Sequence, residues 1–213
     1  MIGIASGIKC LHDLGIIHSD IKPRNILLDE NFHPKITGFD VSFFIKNGVD
    51  NYGGALIYQA PGIFIGDKYN KEVDIYSFGI MLYEIVTNSP PYPELLNSKF
   101  DLYKFQKKII EDGYRPVFKT PINKKLQKFI EQCWTGNPNE RPTIDGVLTK
   151  LADPDYFLDD VDQNEVKLYL KELPPTINPD DLKKKVDELR EINEKLHSDN
   201  KNQQEKIQKI QEE

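Results

Sequence analysis

The stretch His18-Ser19-Asp20-Ile21-Lys22-Pro23-Arg24-Asn25-Ile26-Leu27-Leu28 concentrates more chemistry than any other part of the chain. Asp20 is a carboxylate that can accept a proton from a hydroxyl group. Lys22 follows close behind and can neutralise a phosphoryl oxygen. Asn25 offers a carbonyl oxygen of the kind that suits Mg²⁺. The spacing fits a phosphoryl-transfer constellation. It also fits a polar turn between two short strands, and spacing alone leaves both readings open.

Outward from this string the pattern is mainly helical. Ile4, Ile8 and Leu11 recur at helical spacing and predict a helix over 1–14, with Gly15 as its C-cap. Ile16-Ile17-His18 reads as a short strand. Ile26-Leu27-Leu28 and Lys35-Ile36-Thr37 bracket the turn Asp29-Glu30-Asn31, the pattern of a small β hairpin. Residues 38–62 hold five glycines and little periodicity, so they read as an extended loop. From Val73 to Thr87, the residues Ile75, Phe78, Met81, Leu82, Ile85 and Val86 cover more than one face. That breadth predicts a helix central to the core, ended by Pro90-Pro91-Tyr92-Pro93. Further helices are predicted near 99–112, 123–134 and 143–152.

The full string from His18 to Leu28 resembles the catalytic loop of protein kinases, His-Arg-Asp-Leu-Lys-Pro-x-Asn, in its Ser/Thr-specific Lys-Pro form. Other segments agree in order. Lys35-Ile36-Thr37-Gly38-Phe39-Asp40 falls where the metal-binding Asp-Phe-Gly belongs, and Ala60-Pro61-Gly62 where Ala-Pro-Glu belongs. Asp74-Ile75-Tyr76-Ser77-Phe78-Gly79 resembles the start of the large C-lobe helix. Cys133-Trp134, Asn137-Pro138 and Arg141-Pro142-Thr143 resemble the late C-lobe of the tyrosine-kinase-like group. The resemblance covers residues 1–152. It implies a kinase C-lobe in which Asp20 is the base, Lys22 contacts phosphate, Asn25 holds metal and Leu27 lies under adenine. By residue type alone, Leu27 reads equally as core packing. The resemblance also gives His18 and Phe39 places in a hydrophobic stack, and makes Asp74 a brace for the catalytic loop.

Four departures bear on activity. Gly38 stands where the family has its metal-binding Asp, so the carboxylate comes two positions late, at Asp40. Two residues of extended chain span about 6–7 Å. Mg²⁺ needs oxygens near 2.0–2.1 Å in octahedral order, so rescue by Asp40 requires a rebuilt loop. Ala55 replaces a Thr whose hydroxyl meets the catalytic Asp and Lys in the family. Gly62 replaces the Glu that pairs with a buried Arg, here matched by Arg141. An unpaired buried charge costs roughly 3–5 kcal/mol, so Arg141 needs another acceptor or the segment loosens. Ser19 replaces the Arg that grips a phosphorylated loop, although Ser42, Tyr52 and Tyr58 lie in the segment.

The family's N-lobe carries the Gly-rich loop and the Lys–Glu pair that hold ATP. Only 17 residues precede His18, and they already read as a helix. An N-lobe of five strands and a helix needs roughly 40 residues before any loops. The expectation is therefore a pseudokinase fragment acting as a signalling or scaffold protein, with ATP and Mg²⁺ bound only if it is active. The alternatives are a Ser/Thr kinase whose N-lobe is missing from this chain, and a structural coiled-coil adaptor.

Composition sets the remaining bounds. The chain has 213 residues and a net charge of −6, from 28 Lys+Arg against 34 Asp+Glu. That balance argues against nucleic acid as a partner, because phosphate neutralisation needs clustered cations. No apolar run approaches the roughly 18–20 residues of a membrane span, and the first residues lack the basic segment of a secretory signal. Two cysteines, Cys10 and Cys133, cannot alone build a disulfide framework, so a reducing, cytoplasmic setting is expected. Six acidic and no basic residues from Asp153 to Glu165, then Leu173-Pro174-Pro175, make 153–180 read as a linker. Residues 181–213 hold 17 charged side chains among 33. In them Leu182, Val186, Leu189, Asn193, Leu196, Asn200, Gln203, Ile207 and Ile210 alternate in steps of four and three. That alternation reads as a coiled-coil seam, which predicts a homodimer through 181–213; a single solvated helix or a disordered tail fits the same residues. Other partners are expected to be signalling proteins. The overall expectation is a mainly α, kinase-like C-lobe with a small hairpin, followed by a coiled coil.

Overall fold

The computed structural model describes residues 1–39, 43–44, 56–66, 70–93 and 101–173, and helical positions 181, 184, 187, 188, 192 and 195 further on. The chain divides into two units, Met1–Leu173 and Pro174–Glu213. In the second unit the described positions are helical. The seam residues expected of a coiled coil lie outside the described residues.

The first unit is built mainly of helices. They are α1 (Ile2–Asp13), α2 (Pro61–Phe64), α3 (Glu72–Thr87), α4 (Leu102–Ile110), α5 (Lys124–Cys133), α6 (Ile144–Ala152) and α7 (Gln163–Glu172). Among the described residues four short strands accompany them: β1 (Ile16–Ile17), β2 (Ile26–Leu28), β3 (Pro34–Ile36) and β4 (Phe43–Phe44). β2 and β3 form the expected antiparallel hairpin, with Ile26 opposite Ile36. β1 pairs antiparallel with β4, Ile16 opposite Phe44. The segment 38–62 is therefore not wholly loop, since β4, a 3₁₀ turn at Leu56–Tyr58 and the start of α2 fall within it.

α3 occupies the centre. Every residue from Val73 to Tyr83 is buried, as apolar side chains around the whole helix require. Its two polar members are bonded: Ser77 Oγ donates to the carbonyls of Tyr58 and Val73, and Asp74 serves the site described below. Gly79 lets α5 approach closely, since a β-carbon there would lie 2.7 Å from Cys133 Cβ. Around α3 pack Ile4 and Ile8 of α1, Leu126, Phe129 and Ile130 of α5, and Val147 and Leu151 of α6.

Side chains that accept the first free N–H groups define the helix starts. Asp101 begins α4, Asn123 begins α5, Thr143 begins α6 and Asp162 begins α7. Each such cap stabilises its helix by about 1 kcal/mol. The α1 helix stops at Gly15, whose φ of +70° favours glycine.

The stretch from 153 to 173, expected as part of a linker, folds into the first unit instead. Asn123 Nδ2 donates to the carbonyls of Asp155 and Phe157, and Lys125 pairs with Asp155. Tyr156 sets its ring edge-on against Phe129. In α7, Tyr169 lies 5.6 Å from the His33 ring and Glu172 3.7 Å from His33 Nε2, which ties the helix to the turn of the β2–β3 hairpin. Of the acidic residues that suggested a linker, Asp153 and Asp162 are caps and Asp155 is a surface partner of this added piece.

Candidate functional site

The site grows from the turn between β1 and β2. At its base lies Asp74, on the first turn of α3 and fully buried. Its Oδ1 accepts from the Ser19 backbone N–H at 2.7 Å, and its Oδ2 from the His18 backbone N–H at 2.9 Å. The His12 ring reaches Oδ2 from α1, also at 2.9 Å. This carboxylate fixes the path of the loop. Ser19 has φ +68°, a left-handed conformation costing a non-glycine residue roughly 1–2 kcal/mol, and its bond to Asp74 holds it there.

His18 carries the loop onward. Its Nδ1 accepts from the Asp20 backbone N–H at 3.2 Å, which leaves the proton on Nε2, and Nε2 donates to the Thr37 carbonyl at 2.9 Å. The ring meets Phe39 edge-on at 5.0 Å, so the two residues matched to a hydrophobic stack are in contact.

Asp20, Lys22 and Asn25 come together. Lys22 Nζ is 2.6 Å from Asp20 Oδ2, and Asn25 Nδ2 donates to the same oxygen at 2.8 Å and to the Asp20 backbone carbonyl at 2.7 Å. Asn25 is held from behind, where Thr37 donates both its N–H and its hydroxyl to the Asn25 carbonyl. Leu27, on β2, is 56% exposed. It is not core, and with exposed Leu28 it leaves an apolar strip on the hairpin. Asp40 lies outside the described residues.

Gly38 explains the arrangement around Asn25. It has φ +81°, and a β-carbon built on it would lie 2.5–2.6 Å from three atoms of the Asn25 side-chain amide. The Asn25 amide therefore fills the space in which any side chain at position 38 would begin.

With Gly at position 62, Arg141 has no carboxylate partner among the described residues, but it is not without bonds. Its Nε donates to the Thr135 carbonyl at 3.0 Å, Nη1 to Glu72 at 2.8 Å and Nη2 to Gly136 at 3.2 Å. Its guanidinium also lies 5.1 Å from the centre of the Tyr76 ring. Burial pushes its pKa down to about 10, so the charge persists at neutral pH. Tyr58 is bonded into the fold through its hydroxyl, which donates to Glu84 at 2.6 Å. Ala55, Ser42 and Tyr52 lie outside the described residues.

The family model of the protein kinase domain matches residues 1–152. The chain belongs to the protein kinase family. A probable serine/threonine-protein kinase of Dictyostelium discoideum is 32% identical over 149 residues, covering 70% of this chain. The dual specificity protein kinase shkA of the same organism is 32% identical over 157 residues, again covering 70%. A putative serine/threonine-protein kinase/receptor of Acanthamoeba polyphaga mimivirus is 36% identical over 155 residues, covering 71%. The chain spans 10%, 29% and 9% of these relatives, in that order. Set against the protein kinase pattern, the loop geometry keeps Asp20, Lys22 and Asn25 in one cluster and Asp74 beneath them. Sequence reading missed His12 as a member of this site. Its signal was spacing: Ile4, Ile8 and His12 fall four apart on the buried face of α1.

Proposed function

We propose that this chain is a kinase-fold signalling or scaffold element of the tyrosine-kinase-like group that does not transfer phosphate by itself. The observation that carries the reading is the filled space at Gly38. In the family a carboxylate at that position and the loop Asn share the metal. Here position 38 has no side chain, and both hydrogen-bonding contacts of the Asn25 amide nitrogen go to Asp20. The oxygens that the described loop offers a cation are then the Asn25 side-chain carbonyl and the Asp20 carboxylate, whose Oδ2 is already engaged by Lys22 and Asn25. Without a carboxylate at position 38 this set is a poor match to the oxygen-rich octahedron that Mg²⁺ requires. The described site thus does not fit a magnesium–nucleotide complex.

The tyrosine-kinase-like assignment rests on Cys133-Trp134 and Arg141-Pro142-Thr143, whose Trp134 and Arg141 are buried against α3. Partners are proposed to be signalling proteins, in a cytoplasmic setting consistent with the free thiols of Cys10 and Cys133. Among the described residues no helix is long and apolar enough to cross a membrane.

The test is a phosphotransfer assay on the purified chain with labelled ATP, Mg²⁺ and a generic Ser/Thr substrate, beside Asp20→Asn. The expected result is no incorporation that Asp20→Asn removes. Incorporation abolished by that substitution overturns the proposal. One observation favours a second reading, a Ser/Thr kinase that works with additional chain: the intact Asp20–Lys22–Asn25 cluster. It predicts that activity appears once an N-lobe is supplied. The proposed self-association through 181–213 is tested by sedimentation of the full chain against a chain ending at Leu173. A full chain that stays monomeric at all concentrations removes it.

A further inference from the structure

We propose that the cleft between α2, α4 and α5 is a docking site for a partner's peptide segment carrying one carboxylate beside branched apolar side chains. The cleft is open to solvent and offers about 520 Å³, within the size range of ligand and side-chain pockets. Ile109 and Trp134 form buried parts of its wall, and Ile65 stands 61% exposed at its edge.

Its polar feature is Arg115. Nε donates to the Trp134 carbonyl at 2.8 Å, and Nη1 donates to the carbonyls of Tyr114 at 2.7 Å and Ile109 at 3.1 Å. These bonds lock the guanidinium plane. Nη2 lies beside Gly136, another lining residue, and has no acceptor among the described residues. Arg115 also has no carboxylate partner among them. Its guanidinium lies 5.2 Å from the buried Tyr76 ring, and Arg141 lies 5.1 Å from the same ring, likewise bonded only to carbonyls. Two fixed positive charges thus flank one buried ring, and among the described residues neither has a carboxylate within ion-pair distance.

That imbalance selects the ligand. A carboxylate entering the cleft meets a preorganised donor, and a charge-assisted bond is stronger than a neutral one. Branched apolar side chains on either side of it match Ile65 and Trp134. Glu131, which also lines the cleft, opposes a second carboxylate, so the segment carries one acid and not an acidic run. The inference does not depend on whether the chain transfers phosphate.

The experiment uses the full chain and two labelled peptides, Ser-Leu-Glu-Leu-Ser and its Ser-Leu-Gln-Leu-Ser counterpart, read by fluorescence anisotropy. The acidic peptide is expected to bind saturably and about tenfold tighter than the neutral one, the ratio a charged hydrogen bond supports. Arg115→Gln is expected to erase that ratio, and Glu131→Gln to tighten the acidic peptide. Because Arg115 also bonds to three carbonyls, a variant that fails to fold is replaced by Ile65→Asp. Ile65 is exposed, and an acid there is expected to weaken the acidic peptide more than the neutral one. Equal binding of the two peptides, no saturable binding, or a ratio untouched by the folded variants overturns the proposal.

Discussion

The two sides of the Asp20 loop differ in what their carboxylates do. On the inner side Asp74 is fully buried and accepts from His12, His18 and Ser19 at 2.7–2.9 Å. On the outer side Gly38 has no carboxylate, and the Asn25 amide fills its place. The inner acid holds the chain path, so its loss would leave buried donors unmatched. The outer acid of the family holds a metal, and in its absence the neighbouring amide fills the space. The loop's path and the acid at position 38 therefore rest on different residues, and the path holds although that acid is absent.

The largest effect should come from the inner side. Asp74→Ala removes one carboxylate from three buried donors, and a loss of about 3–5 kcal/mol is expected. Urea unfolding of the folded unit measures it. A loss below about 1 kcal/mol would mean that water replaces the carboxylate and that Asp74 is not the brace described here.

How much of this could be read in advance follows the same division. Local pattern gave α1, α3, α5 and α6, whose apolar residues recur at helical spacing, and the β2–β3 hairpin, whose apolar runs bracket the turn Asp29-Glu30-Asn31. The β1–β4 pair was illegible, because two-residue strands joined across 28 positions leave no periodic trace. The α7 helix was missed because the acidic count outweighed a weaker pattern. Val166, Tyr169, Leu170 and Leu173 fall at helical spacing after the Asp162 cap and are the half-buried positions of that stretch. In the site, Asp20, Lys22, Asn25 and Asp74 were legible as a string. The contact of Asn25 with position 38 was not, since it depends on the φ of Gly38 and the angle at which the hairpin returns.

Arg141 tests whether the vacancy at Gly62 was made good as the vacancy at Gly38 was. Arg141→Met keeps the apolar stem but strips a donor from the carbonyls of Thr135, Glu72 and Gly136. The expected loss is about 2–4 kcal/mol by urea unfolding. A neutral result would show that the guanidinium is only tolerated there. On the outer side Gly38→Asp restores the family's residue type, yet it should destabilise by roughly 1–3 kcal/mol, from the left-handed backbone and the displaced Asn25 amide. Thermal melts with and without ATP and Mg²⁺ are expected to show no added stabilisation. A clear upward shift would break the comparison, because one substitution would then have rebuilt the outer side.

The smallest effect concerns Tyr58, which belongs by sequence to the activation segment but by bonding to the fold. Tyr58→Phe deletes the hydroxyl that donates to Glu84 at 2.6 Å. Glu84 is half-buried and water can reach it, so the expected cost at neutral pH is only about 0.5–1.5 kcal/mol. The pH dependence is more telling. Burial first, and Glu84 second, raise the Tyr58 pKa above its ordinary value of 10.0. The unfolded chain then releases the phenolic proton near pH 10 while the folded chain keeps it, so the stability due to Tyr58 is present below that pH and declines above it. Tyr76 and Tyr92 are raised in the same direction, but they are common to both proteins and cancel in the difference. The gap in melting temperature between wild type and Tyr58→Phe should therefore shrink as the pH passes about 10. A gap that stays constant would show that the hydroxyl is not held by burial and Glu84, and would return Tyr58 to the side of the loop that answers to chemistry instead of the fold.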